Sequence, residues 1–203
     1  MTDPDARLMM LAARGDREAF DGLLEKHYGR VLGLAARYLG SREEADDLAQ
    51  EVFLKVYRAR HRYRPEARFS TWLYRITVNL SLNWIRARKT RRQVNLGALA
   101  TESDGDAPGD AAARIADEAS PLPLDRLSDL EVHALVRRCL MELPERQRLV
   151  VVLFRYEGKG YQEISEILEL SVTAVKSLLF RAREALRERL APLLQERAET
   201  GGD

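Results

Sequence analysis

Apolar residues recur at intervals of three and four positions along most of the chain, the spacing that places them on one face of an α-helix. In the first half this pattern predicts three helices. Asp16 is placed to cap the first, Ser41 and Glu44 have the capping-box spacing that opens the second, and Ser70 or Thr71 caps the third. The predicted apolar stripes are Phe20, Leu23, Leu24, Val31, Leu34 and Tyr38; then Ala45, Leu48, Val52 and Val56; then Trp72, Leu73, Ile76, Leu80 and Trp84. No segment keeps the alternation of a strand, so the predicted fold class is all-α.

The helical spacing returns in the last third of the chain. Ser128 has the capping-box position for a helix that runs to Leu143, and Pro144 suits the first turn of the next helix. Gly158 and Gly160 then break the chain. A short helix over 161–168, a turn over 169–171 and a longer helix to about Leu190 follow, which is the outline of a helix-turn-helix.

Between these two helical parts the periodicity disappears. The segment 96–127 is rich in Ala, Gly, Asp and Pro and carries no regular apolar pattern. A stretch of this length is too long for a loop inside one compact domain. We therefore predict two small helical domains, 10–95 and 128–192, joined by a flexible acidic linker.

The composition excludes several classes of protein. The apolar run Leu149 to Phe154, which no other run exceeds in length, is far shorter than the roughly 18 residues that span a bilayer, so no membrane insertion is expected. The acidic, polar N-terminus does not resemble a signal peptide, which predicts a cytoplasmic protein. A single cysteine cannot form an internal disulfide, and three dispersed histidines make a Cys/His metal site implausible.

The net charge of +1 conceals a strong sorting of charge along the chain. Residues 55–95 carry 12 basic residues and one acidic residue, whereas residues 96–131 carry 2 basic and 9 acidic ones. Uncompensated positive charge on this scale indicates a polyanionic partner such as nucleic acid. Aromatic residues are interleaved with the basic ones, and exposed rings can stack on unpaired bases. Trp72 and Trp84 are more readily explained as core residues, so Tyr63 is the better stacking candidate.

The sequence also resembles a known family. The blocks Asp47–Phe53 and Phe69–Asn79 are similar to region 2 of bacterial sigma factors of the sigma-70 family. The blocks Leu143–Glu145, Tyr161–Ile164 and Val175–Arg183 are similar to region 4. Only these two regions are present, joined by a short linker, which matches the small extracytoplasmic-function (ECF) group.

The resemblance implies an alternative sigma factor that binds core RNA polymerase and directs promoter-specific initiation. Region 2 would dock on the clamp of the largest subunit and open the minus-ten element. Region 4 would contact the flap of the second-largest subunit and read the minus-thirty-five element. An anti-sigma factor is a further partner that the group implies. The site residues carried over are Asp47, Gln50, Glu51 and Leu54 for the polymerase; Lys55, Tyr63, Arg75 and Asn79 for the minus-ten element; and Ser171, Thr173, Lys176, Ser177, Phe180, Arg181 and Arg183 for the minus-thirty-five element.

The spacing of the residues agrees with two of these assignments. Asp47, Gln50, Glu51 and Leu54 share one face of a helix, and an acidic, partly apolar face suits a protein partner better than DNA. The helix from Ser171 carries basic and hydroxyl side chains on outer positions, where they can reach base edges or phosphates. No phosphate loop or nucleophile–base motif is present, so we expect neither enzymatic activity nor a cofactor or metal.

Two rival interpretations remain open. A helix-turn-helix regulator outside the holoenzyme would end in the same way, but it predicts a receiver or ligand-binding domain of alternating strands and helices ahead of it. A non-specific nucleic-acid-binding protein explains the basic block but not the acidic helix over 46–54. Directing core polymerase to one promoter would separate all three.

Overall fold

A computed structural model describes residues 3–99 and 123–200, and its side chains over 3–91 and 132–191. The helices in chain order are α1 (Pro4–Ala13), α2 (Arg17–Leu39), α3 (Arg42–Ala59), α4 (Phe69–Leu99), α5 (Pro123–Glu142), α6 (Glu145–Val151), α7 (Tyr161–Leu168) and α8 (Val172–Thr200). A 3₁₀ turn (Arg60–Arg62) follows α3, and a π-helical turn (Val152–Tyr156) continues α6. No strand occurs over the described ranges, which confirms the all-α prediction.

The chain divides into two compact units, one of Met1–Ala35 with Ser41–Arg114 and one of Ala36–Gly40 with Ile115–Asp203. Most of the predicted linker, 96–127, lies outside the described residues. At its edges α4 continues to Leu99 and α5 begins at Pro123. Ser128 therefore lies inside α5 and does not open it. Proline at a first helical position leaves no unsatisfied N–H, which explains the earlier start.

The first unit packs α3 and α4 against α1 and α2. Leu48, Val52 and Val56 of α3 are buried as the stripe predicts, and so are Leu73 and Leu80 of α4. The other predicted core residues of α4, Trp72, Ile76 and Trp84, are only half-buried. α1 is an element that the apolar pattern did not reveal. Two of its four buried residues are alanines and one is Asp5, so it lacks a conspicuous stripe.

The caps of the first unit agree only in part with the predictions. The Asp16 carboxylate accepts from the Ala19 N–H at 3.1 Å, and the Ser41 hydroxyl accepts from the Glu44 N–H at 3.3 Å. The prediction that Ser70 or Thr71 caps the third helix is wrong, because α4 begins earlier, at Phe69. The carboxylate of Asp3, from the start of α1, takes over this role by accepting from the Phe69 N–H at 2.6 Å.

In the second unit, α6, α7 and α8 share one core. Buried Ile164 of α7 and buried Val175 and Leu179 of α8 face each other across the turn, as the spacing predicts, while Leu168 and Val172 are half-buried. α7 spans the residues that the sequence predicts. Glu169 ends it in the left-handed conformation with φ 54° and ψ 43°. The helix-turn-helix is therefore present.

Candidate nucleic-acid interface

One face of α3 carries the residues predicted to dock a protein. Asp47, Gln50, Glu51 and Leu54 follow one another at helical spacing, and all four are exposed, Leu54 to 55%. The neighbouring Asp46 is engaged within the unit, since it accepts from the Tyr28 hydroxyl and from the Gln50 amide, each at 2.9 Å. Because Asp46 is bonded internally, the carboxylates of Asp47 and Glu51 and the side chain of Leu54 remain available to a partner. An exposed acidic face with a leucine at one end can bind a basic, partly apolar helix.

The residues predicted to read the minus-ten element come from α3, the segment after it and α4. Lys55 and Asn79 are exposed, and Arg75 is half-buried. Arg75 and Asn79 lie one turn apart on α4, on the same side as the half-buried Trp72. The opposite side is closed by internal hydrogen bonds: the Thr77 hydroxyl donates to the Leu73 carbonyl at 2.9 Å. An amide, a guanidinium and part of an indole ring therefore share the outer face of α4.

Tyr63 does not have the exposure predicted for a stacking residue. It is only 6% exposed, and its ring packs edge-on against Trp72 and Phe69, with centroids 4.9 and 6.1 Å away. Its neighbours Arg64 and Pro65 are exposed, whereas the ring itself turns inward and adds to the core. Burial, together with the nearby charges of Asp3 and Asp5, raises the pKa of Tyr63 to about 12. The partly exposed ring of this cluster is Trp72.

The third set of predicted residues lies on α8, where the exposed positions of the first three turns form one surface. The Ser171 hydroxyl caps the helix by accepting from the Ala174 N–H at 3.1 Å. The Ser177 hydroxyl donates to the Thr173 carbonyl at 3.0 Å. Phe180, at 67%, has the highest exposure among the large hydrophobic residues that the structure describes. All seven predicted residues are exposed: Ser171, Thr173, Lys176, Ser177, Phe180, Arg181 and Arg183.

Two of these cations rest on a pair of stacked rings that the sequence analysis missed. Phe154, in the π-helical turn, and Tyr161, the first residue of α7, stack with centroids 5.4 Å apart and planes 8° apart. The Lys176 ammonium lies 5.8 Å from the centroid of the Tyr161 ring, and the Arg183 guanidinium carbon 5.4 Å from that of Phe154. Cations are attracted to ring faces at these distances. The rings thus hold two basic side chains of α8 beside the surface predicted to read DNA.

Within the ranges that the structure describes, no group of His, Cys, Asp or Glu could hold a metal ion. No described helix is long and apolar enough to cross a membrane.

A helix-turn-helix with an exposed basic face, in a chain whose other unit exposes an acidic helical face, is typical of a DNA-binding protein that also binds a protein partner. Residues 23–91 match the family Sigma-70 region 2, and residues 133–186 match Sigma-70, region 4. The chain is 38% identical to the RNA polymerase sigma-H factor of Pseudomonas aeruginosa over 96% of its own length and 97% of that protein. It is 34% identical to the ECF RNA polymerase sigma-E factor of Escherichia coli K12 over 94% and 96% of the two chains.

Solved structures show the same relationship. The structure of CnrH in complex with the cytosolic domain of CnrY matches with a TM-score of 0.64 and 27% identity, covering 94% of this chain and 99% of that one. The sigma factor RpoE from Bartonella quintana, solved with the anti-sigma factor NepR, has a TM-score of 0.62 and 23% identity over 85% and 96%, and so shares the fold. The chain belongs to the sigma-70 family, in its ECF group. It is an alternative sigma factor that directs transcription initiation.

Proposed function

We propose that this sigma factor works through three separate surfaces, one for core RNA polymerase and two for promoter DNA. The proposal is supported by one observation: three exposed helical faces carry different kinds of side chain. α3 presents acids and a leucine, α4 presents an amide and a guanidinium beside an indole, and α8 presents cations, hydroxyls and a phenylalanine. Each face suits a different partner.

The face of α3 made by Asp47, Gln50, Glu51 and Leu54 binds the clamp of the largest polymerase subunit. Carboxylates in water favour a basic partner and speed its approach, while the exposed leucine supplies apolar area that becomes buried on docking. The flap of the second-largest subunit binds the second unit, as the family resemblance implies.

The outer face of α4 holds the opened non-template strand of the minus-ten element. Lys55 and Arg75 supply charge for the backbone, and the Asn79 amide can read the Watson–Crick edge of an unpaired base. The half-buried Trp72, rather than Tyr63, offers a ring surface for stacking at this site.

The α8 surface reads the minus-thirty-five element as duplex in the major groove. Arg181 and Ser177 have donors for base edges, and Phe180 has an exposed ring for an apolar contact such as a thymine methyl group. Lys176 and Arg183, placed over the aromatic pair, are suited to phosphates.

Two further statements complete the proposal. An anti-sigma factor holds the protein inactive, which is supported by the similarity to RpoE of Bartonella quintana, solved in complex with one. The chain has no catalytic activity of its own, because nucleotide addition belongs to the polymerase and the sigma family is not a family of enzymes.

Transcription from a genomic-fragment library tests the proposal against the rival regulator. Core polymerase is assayed alone, with this protein, and with this protein plus a primary sigma factor. A sigma factor produces new, discrete start sites with core enzyme alone. A regulator outside the holoenzyme changes transcription only when the primary sigma factor is also present, and that result would contradict the proposal.

A further inference from the structure

The first unit contains a contact between its N-terminal helix and the start of α4 that no surface described above uses. The carboxylate of Asp3 accepts from two backbone N–H groups at once: from Asp5 at 3.1 Å, which caps α1, and from Phe69 at 2.6 Å, at the first turn of α4. Phe69 lies 66 positions further along the chain. A negative charge at two helix N-termini is favourable for both helices, so one side chain fixes where both begin.

A second carboxylate of α1 anchors the helix to α2. Asp5 is buried, and it accepts from the Lys26 ammonium at 2.6 Å and pairs with the His27 imidazole at 2.9 Å. Burial by itself would raise the pKa of Asp5, but the hydrogen bonds from Lys26 and His27 outweigh it, and the pKa lies below its ordinary value. Asp5 therefore stays ionised and holds α1 in place.

A row of four neighbouring rings connects α2, to which α1 is anchored, with the outer face of α4. The His27 ring lies 5.4 Å from Phe69, Phe69 lies 6.1 Å from Tyr63, and Tyr63 lies 4.9 Å from Trp72. The loop 64–68 is mostly exposed, but the residues at its two ends, Tyr63 and Phe69, are both buried. α1 contacts the 3₁₀ turn that precedes this loop, and Asp3 at the start of α1 bonds Phe69, the residue where the loop ends.

The environment of the Tyr63 hydroxyl, which is buried and has no hydrogen-bond partner among the described residues, indicates that this residue acts from inside the unit. The residue as a whole is only 6% exposed. A phenol buried without a partner contributes its ring and not its hydroxyl. Its effect on the surface is therefore exerted through the Trp72 ring that it supports.

We propose that α1 is a positioning element for promoter opening: the Asp3 carboxylate and the Tyr63 ring fix the loop 64–68 and Trp72 in the arrangement that receives the unpaired strand. Asp3 and Tyr63 are positioning residues, because neither touches DNA. The inference rests on the proposed minus-ten role of α4, and it adds that the geometry of this site is set from the N-terminal helix. Preorganisation of this kind lowers the cost of binding a flexible strand.

The test uses holoenzyme and a labelled single-stranded minus-ten oligonucleotide taken from a promoter mapped with it, at one fixed salt concentration. Asp3→Ala should weaken binding of the oligonucleotide about fivefold or more, because the loop 64–68 and Trp72 would no longer be held in one arrangement before the strand binds. Asp3→Asn should recover only part of the affinity, because its single amide oxygen can accept from just one of the two N–H groups that the two carboxylate oxygens serve. Asp16→Ala is the matched control, since Asp16 caps α2 in the same way without contacting the loop.

Two variants of Tyr63 keep the test informative where Asp3→Ala does not fold. Tyr63→Leu should weaken oligonucleotide binding because the support of Trp72 is lost, whereas Tyr63→Phe should leave it unchanged. Weaker binding by Tyr63→Phe would mean that the hydroxyl contacts DNA and would overturn the positioning role. Equal losses in Asp3→Ala and Asp16→Ala would also overturn it, because the effect would then follow stability alone.

Asn79→Ala, measured in the same assay, separates this inference from the proposed function. If Asn79→Ala binds the oligonucleotide normally and keeps the base preference, the proposed minus-ten role fails and the inference fails with it. If Asn79→Ala weakens binding while Asp3→Ala and Tyr63→Leu do not, only the positioning role is wrong.

Discussion

The burial of His27 gives the first unit a stability that depends on pH. Burial lowers the pKa of this imidazole below its ordinary value, and the contact with Asp5 opposes the shift without reversing it. Besides Asp5, the charged groups that act on His27 are Lys26 and Arg30, and both disfavour its protonation. In the unfolded chain the same imidazole binds a proton at about pH 6.5. The unfolded state therefore binds more protons than the folded state below that pH.

We accordingly expect the first unit to lose stability as the pH falls below about 6.5, the unfolded value, towards the lower folded pKa of His27. One extra proton in the unfolded state contributes a slope of at most about 1.4 kcal/mol per pH unit. His27→Gln should flatten this slope, because the amide can still donate to Asp5 but does not titrate. Tryptophan fluorescence during denaturation reports on this unit alone, since the chain has two tryptophans, Trp72 and Trp84, and both lie in α4. Equal slopes for the two proteins would contradict the assignment.

Asp5 adds to the same trend at lower pH. Because its folded pKa lies below the ordinary value, its contribution is complete above that value and is lost as the pH falls through the folded pKa. Acid therefore acts through His27 first, because the unfolded chain binds the proton that the buried imidazole resists, and through Asp5 at lower pH, because its protonation weakens the contact between α1 and α2.

Among the elements, α3 divides its residues between core and surface more completely than α4 does. Its inner face buries Leu48, Val52 and Val56, whereas the outer face exposes Asp47 and Glu51. A substitution on the outer face should therefore change binding and leave folding intact.

The double variant Asp47→Lys, Glu51→Lys should bind core polymerase at least about tenfold more weakly, because reversed charges would oppose a basic partner. Its helix content by circular dichroism should match that of the unmodified protein. The control is Asp21→Lys, Glu25→Lys, which makes the same charge change at the same spacing on exposed positions of α2. Assembly that is normal in the first variant, or equally impaired in both, would refute the assigned docking face.

A second prediction for a single element concerns Tyr161, the first residue of α7. Tyr161→Leu should weaken duplex binding by holoenzyme about two- to fivefold, since cation–π contacts at exposed sites contribute about 0.5–1 kcal/mol. Tyr161→Phe keeps the ring under Lys176 and over Phe154 and should behave as the unmodified protein. If the phenylalanine variant is as weak as the leucine variant, the hydroxyl and not the stacked ring is responsible.

At the scale of the whole molecule, the proposed DNA-reading surfaces lie in different units and act on different forms of the promoter. Arg181→Ala should lose about 1–3 kcal/mol of binding to closed duplex if the guanidinium contacts a base edge. Asn79→Ala should spare duplex binding and impair opening or change the preferred base at one position. The two residues share no partner, so the double variant should show both defects, combined without coupling.

Permanganate footprinting on paired and mismatched promoters measures these steps separately. With a pre-opened bubble, Asn79→Ala should regain permanganate reactivity of the promoter but not its base preference. The bubble should not restore duplex binding by Arg181→Ala. Loss of duplex binding in Asn79→Ala with base preference retained would mean that the surfaces are assigned to the wrong elements.

Local sequence patterns were sufficient to predict most of the helices, though not α1, and the directions in which the functional faces of α3 and α8 point. α7 spans the predicted residues, and the predicted residues on α3 and α8 are exposed. This part was predictable because a 3.6-residue period couples neighbouring positions to one face, so apolar spacing reports on burial before any tertiary contact is known. The family resemblance rested on the same local blocks.

The side chains that support those faces were set by contacts between elements far apart in the chain. Tertiary packing buried Tyr63, gave α4 its cap from Asp3, and placed Lys176 and Arg183 over Tyr161 and Phe154. These contacts join different elements, and local periodicity contains no information about which distant residues will meet. α1 escaped prediction for the same reason: its anchor is a buried carboxylate, which is stable there only because Lys26 and His27 come to it from another helix.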